Sequence, residues 1–138
     1  MGLFKRTAAC LVGMALLFST AAAETTLHFT FAGDCTLGSE EAKRKQATSF
    51  DSVITEKGYD WPFANMQELF QNDDLTVVNL EGVLSDSNRN ENKDKTYRFR
   101  GPTAFVDILT RSGIEAVNLA NNNPQDFGKQ GYPATQET

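Results

Sequence analysis

The sequence predicts an α/β fold, a parallel-sheet β-α-β-α-β unit, and three observations predict it. First, three apolar runs each end on polar residues: 27–32 runs into Gly33 and Asp34, 75–80 into Glu81 and Gly82, and 114–120 into Asn121, Asn122 and Asn123. Second, the segments between them carry helical spacing. Third, the middle run is nearly all apolar, as a strand buried within a parallel sheet is. Ligands of open α/β sheets bind beyond the carboxyl ends of the strands. The three polar clusters should therefore gather on one rim. Oxygen donors on one rim point to a hard metal ion, a phosphate-like group, or both.

Each element follows in order. Leu27, Phe29 and Phe31 alternate with His28 and Thr30, which predicts a strand with one better-buried side. Residues 40–46 are highly charged and read as a short helix or an exposed loop. Trp61-Pro62-Phe63 opens a helix that places Phe63, Met66, Leu69 and Phe70 on one face, and Asn72-Asp73-Asp74 ends it. Residues 85–95 are polar, hold Asn88, Asn90 and Asn92, and read as a mobile loop. Residues 97–100 alternate like a short strand. Gly101-Pro102 starts a helix whose buried face is Phe105, Ile108 and Leu109, with Gly113 as its stop. Residues 131–138 approach another helix.

The N-terminus reads as a secretory signal peptide over residues 1–23. Lys5 and Arg6 are its charged region, 11–18 its apolar core, and Ala21-Ala22-Ala23 its small-residue cleavage site. The mature chain, 24–138, would be one small domain, secreted or held at the cell surface. It keeps 11 Lys and Arg against 18 Asp and Glu, a formal net charge of −7. Such a domain is a poor general nucleic-acid binder, because phosphate-backbone affinity needs a basic surface. Only Cys35 outlasts cleavage, so no internal disulfide is possible.

Asp34 is a candidate metal ligand or a turn former. Glu81 is a ligand, an acid/base group or a solvated carboxylate. Asn121, Asn122 and Asn123 can ligate or hydrogen-bond without adding charge, or can form a left-handed turn. Asp126 either caps the next helix or orients these asparagines. Arg98 and Arg100, two apart on an extended segment, share a face that suits a carboxylate or phosphate, or they line a solvated face. His28, the only histidine, reads as a surface residue, and Cys35 as a small buried one.

Several of these segments together resemble the CapA family of capsule and poly-γ-glutamate synthesis proteins. They are 31–38 (FAGDCTLG), Trp61-Pro62-Phe63, 77–81 (VVNLE), 97–102 (YRFRGP), and 118–123 (NLANNN) with Asp126-Phe127-Gly128. The resemblance spans about Leu27 to Gly131. It implies half of a calcineurin-like metallophosphatase sandwich, with Asp34, Glu81 and Asn121 or Asn122 near a divalent metal such as manganese or magnesium. It implies an anionic polymer or its synthesis machinery as partner, together with cell-surface or membrane-associated proteins. The family usually reads Asn-Asn-His where this chain has Asn121-Asn122-Asn123, so a candidate general acid at position 123 is replaced by a group that cannot titrate. The family domain is also about twice as long, so the chain reads as a truncated N-terminal half with weak metal binding. Three functions follow: a metal-dependent hydrolase of a phosphate- or peptide-like link, a non-catalytic binding or assembly factor for an anionic surface polymer, or an inactive fragment.

Overall fold

A computed structural model describes residues 24–123 and 125–138; the expected leader, 1–23, lies outside the described residues. The described strands are β1 (Phe29–Thr36), β2 (Ser39–Glu40), β3 (Leu75–Glu81), β4 (Val83–Leu84), β5 (Phe99–Gly101) and β6 (Ala116–Asn118). The helices are α1 (Phe50–Lys57), α2 (Gln67–Gln71), α3 (Val106–Ser112) and α4 (Gly131–Gln136). The first sheet has the order β1-β3-β6 and is parallel throughout, with α1 and α2 between β1 and β3 and α3 between β3 and β6. The mixed α/β class and the parallel three-stranded unit are thus as the sequence predicts.

A second small sheet has the order β2-β5-β4. β1 and β3 each leave the first sheet through a glycine with positive φ, Gly38 at 145° and Gly82 at 96°. The strands that follow them, β2 after Gly38 and β4 after Gly82, pair with β5 from opposite sides. The carboxyl ends of β1 and β3 are therefore anchored by a shared strand.

One face of the first sheet is covered. Thr76, Val78 and Leu80 of β3 are buried there, and Ile54, Phe70, Phe105, Ile108 and Leu109 pack over it. Phe105 takes Phe50 and Tyr59 edge-on, at centroid distances of 5.6 and 5.8 Å. Val117 pairs with Val78 in register and packs on this core. The opposite face is open, which corrects the expectation for the first strand. Leu27, Phe29 and Phe31 are 56, 53 and 74% exposed, because α1, α2 and α3 send their buried side chains to the other face.

Helix α1 was not read from the sequence, although its ends are well marked. The Ser49 hydroxyl accepts from the Ser52 N–H at 3.2 Å, and Gly58, with φ 86°, donates its N–H to the Ile54 carbonyl at 2.8 Å. The helix expected from Trp61 is shorter than its pattern. Only Gln67–Gln71 is helical, and Met66 and Leu69 stay exposed while Phe63 and Phe70 meet edge-on at 5.9 Å.

Charged side chains tie the second sheet to α1. Arg100 and Arg44 both pair with Glu41, at 3.2 and 3.0 Å, and Arg44 also pairs with Asp51 at 2.6 Å. Partial burial acts to raise the Glu41 pKa, but the hydrogen bonds and charges of Arg100 and Arg44 outweigh it and hold the carboxyl below its ordinary value of 4.5. A carboxyl depressed in the folded state stabilises the fold above its unfolded pKa, and that contribution is lost as pH falls through the folded value. Glu41→Gln should therefore melt below the wild type at about pH 7, and the gap should close as pH falls below about 4.5. Melting curves over that range check it; a gap that persists in acid would remove Glu41 from the account.

Candidate functional site

The polar ends of the strands do meet on one rim, by a route that the sequence reading did not foresee. Gly33 and Asp34 do not lie beyond β1 but inside it. The β1–β3 register shifts between Ala32 and Asp34, so that Asp34 stands opposite Asn79. Such a bulge re-aims a side chain. Here it puts Asp34 on the open face beside Asn79, and Asn79 stands opposite Asn118 of β6.

These three side chains are joined. The Asn79 amide Nδ2 donates to Asp34 Oδ1 at 2.6 Å, and the Asn118 Nδ2 donates to Asn79 Oδ1 at 2.7 Å. The Ala120 N–H then donates to Asn118 Oδ1 at 3.1 Å. A polar row thus crosses all three parallel strands, next to the apolar Phe31 and Val77 on the same face. Asn79 and Asn118 were not singled out as site residues. Alternation could have found them, since Asn79 is two residues from Glu81 and so shares its face.

Glu81 pairs with Thr36, two residues beyond Asp34 on the same sheet. That places it roughly 7 Å further along the strand direction. It is half-buried, and its carboxylate has no hydrogen-bond or ion-pair partner among the described residues. The Asn121 amide donates to the Leu80 carbonyl at 2.7 Å, which brings the asparagine loop against the end of β3. Asn122 is exposed, and Asn123 is buried with its carbonyl taking the Asp126 N–H at 2.9 Å. A cleft of about 650 Å³ borders this loop, with Asn121, Asn122, Gln125, Lys129 and Tyr132 in its walls.

The arginines are spent elsewhere. Arg100 is buried; it donates to the Ser85 carbonyl at 2.5 Å and to Glu41, and it lies 5.7 Å from the Phe127 ring centroid. Arg98 pairs with Glu91 at 2.7 Å. His28 is exposed at the opposite end of β1, and burial pushes the Cys35 thiol up to about 11, which makes it a poor nucleophile.

Of the oxygens at the rim, Asp34 is exposed with one engaged by the Asn79 NH₂ group, Glu81 is half-buried and unpaired among the described residues, and the Asn79 and Asn118 amide oxygens are turned away from Asp34. No group of three or more His, Cys, Asp or Glu fit to hold a metal occurs among the described residues.

The comparisons point one way. A family model described as bacterial capsule synthesis protein PGA_cap matches residues 28–138. The chain is similar to the PGA biosynthesis protein CapA of Bacillus subtilis (strain 168), 25% identical over 112 residues that cover 81% of this chain and 27% of that protein. It is also similar to the capsule biosynthesis protein CapA of Bacillus anthracis, 26% identical over 85 residues that cover 60% of this chain and 21% of that protein. The chain thus spans about a quarter of the length of these relatives.

Proposed function

Because the chain belongs to the bacterial capsule synthesis family PGA_cap, we propose that it is an exported protein of capsule or poly-γ-glutamate synthesis whose rim binds a divalent cation. The observation that supports this reading is the Asp34–Asn79–Asn118 row, with Glu81 and Asn121 at the same strand ends. Asp34 and Glu81 would supply the negative charge for the cation. Asn79 fixes the Asp34 carboxylate, and Asn121 ties the asparagine loop to the end of β3. When bound, a divalent cation supplies charge neutralisation and polarisation of a phosphate- or carboxylate-bearing group. The linkage acted on would be phosphate- or peptide-like.

A second reading, a non-catalytic binding or assembly factor for an anionic surface polymer, is favoured by one observation. Position 123 carries an amide, and the only histidine, His28, lies at the far end of β1. General acid catalysis contributes about 10²–10⁴-fold where it operates, and no imidazole is placed to supply it.

The test is calorimetric titration with manganese of exported protein whose mass begins at Glu24. Two carboxylates and neutral amides should give a dissociation constant of about 10⁻⁴–10⁻³ M, and Asp34→Asn should abolish the heat. Submicromolar binding that survives Asp34→Asn would place the cation elsewhere. Phosphodiester turnover by the same protein would decide for the hydrolase; manganese binding with background rates would favour the binding factor, and neither binding nor turnover the inactive fragment.

A further inference from the structure

Residues 85–95, read from their composition as a mobile loop, are bonded to the asparagine loop through Asn92 and Lys95. The Asn92 N–H donates to the Asp126 carbonyl at 2.8 Å. The Lys95 ammonium donates to Asp126 Oδ1 at 2.5 Å and to the Asn122 carbonyl at 2.8 Å. Arg98 holds this segment from the other side, through Glu91 at 2.7 Å and through the Lys95 carbonyl. Asp126 is fully buried, at 0% exposure, and its Oδ2 has no hydrogen-bond partner among the described residues. It does not cap the short helical turn that follows, which begins after Phe127 with no side-chain cap.

A buried carboxylate is costly unless a cation pairs with it. Lys95 pairs with Asp126 and, with a second N–H, holds the backbone of Asn122. Asn122 adjoins Asn121, which is bonded to the end of β3. We propose that Lys95 is a positioning residue: its ammonium fixes the Asn121–Asn123 loop against β3, with Asp126 as its buried counter-charge. A lysine suits this task because its three donors can serve a carboxylate and a carbonyl at once. The consequence for ligand binding rests on the reading of the rim given above; the positioning itself does not.

The experiment is residue-resolved amide exchange on the full chain without added metal. Lys95→Met should speed exchange at Asn92, Asn121 and Asp126 by about tenfold or more, the scale of a lost hydrogen bond to a charged group. Val78 and Leu80, in β3, should stay within about twofold, because local opening leaves the core shut. Asp126→Asn should loosen the same amides, and Lys95→Arg, which keeps the charge, should restore most of the protection. The proposal is overturned if Lys95→Met leaves the three amides within about twofold of wild type. It is equally overturned if β3 accelerates as much as the loop, since Lys95 would then be a general stabiliser. Manganese titration of Lys95→Met separates the two readings. A loosened loop with unchanged manganese affinity upholds the positioning and counts against the rim as the cation site.

Discussion

Gly38→Ala is expected to lower the stability of the fold more than alanine at any uncrowded glycine. Gly38 has φ 145°, and a Cβ there would lie 2.4 Å from the Arg100 carbonyl carbon and the Gly101 nitrogen, and 2.5 Å from the Arg100 oxygen. All three atoms are backbone of β5, which is held on both sides by β2 and β4 and cannot withdraw. The same crossing is tight from the other side. A Cβ at Gly101 would meet the Leu37 oxygen at 2.3 Å and a Phe105 ring carbon at 2.9 Å. Overpacking costs roughly 1–3 kcal/mol, and a strained backbone adds about 1–3 kcal/mol. Domains of this size hold only about 5–15 kcal/mol in all. Two controls separate crowding from strain. At Gly58, with φ 86°, a Cβ meets nothing within 4 Å, so alanine there carries strain alone. At Gly33 there is open space and no positive φ is recorded, so Gly33→Ala should be nearly neutral. Urea midpoints should rank Gly33→Ala above Gly58→Ala, and both well above Gly38→Ala and Gly101→Ala. A Gly38→Ala midpoint equal to that of Gly58→Ala would show that β5 yields, and the crossing would not be a fixed point of the fold.

The second large effect concerns association. Phe29 and Phe31 stand exposed on the open face of the first sheet, along β1, which is also an edge of that sheet, and Leu27 is exposed just before it. An apolar patch beside unpaired strand backbone favours pairing with other chains. No Lys or Pro interrupts 27–36 to discourage it. The purified protein should therefore elute as oligomers, increasingly so with concentration. Phe29→Lys/Phe31→Lys should elute as monomer. Its thermal midpoint should change little, because exposed substitutions usually stay within about 0.5 kcal/mol. Light scattering across a concentration series decides it. Wild type that remains monomeric, or a double variant that still associates, would show that this face is not where the chains meet.

The sequence carried the frame of the fold because the frame is local. The 75–80 run is nearly all apolar, and β3 is the central strand; Gly113 stops α3 with φ 81°. What escaped the reading depends on partners far along the chain. The bulge that turns Asp34 outward exists only in the register of β1 against β3, 45 residues on. The segment 85–95 reads as a mobile loop because the bond that ties it down runs from Lys95 to Asp126, 31 residues on. The two-residue strands β2 and β4 are too short for any periodicity to announce. The strand expected over 97–100 is found only at Phe99–Gly101, so Arg100 is on it and Arg98 just before it, and Glu91 and Glu41 claim the two arginines from different segments. Glu81 could be placed at the end of β3 and Asn121 beyond β6 because position along a strand is local, whereas the place of Asp34 inside β1 depends on the bulge. That Asn79 and Asn118 join them follows from alternation across three strands, which becomes visible only once the strands are aligned.

The polar row also has a direction. An asparagine amide can point either way, and its two ends are nearly alike in shape. At one end of this row stands a carboxylate, which when ionised can only accept, and at the other a backbone N–H, which can only donate. Between them Asn79 and Asn118 have one assignment that satisfies every bond, with both NH₂ groups turned toward β1 and the oxygens away from it, that of Asn79 to Asn118 and that of Asn118 to the Ala120 N–H. A negative charge on β1 and a backbone N–H beyond β6 thus orient the two neutral dipoles between them in the same sense. Neutralising Asp34 would leave the Ala120 N–H to hold that order, so the pattern of donors and acceptors along the rim is fixed from both ends of the row.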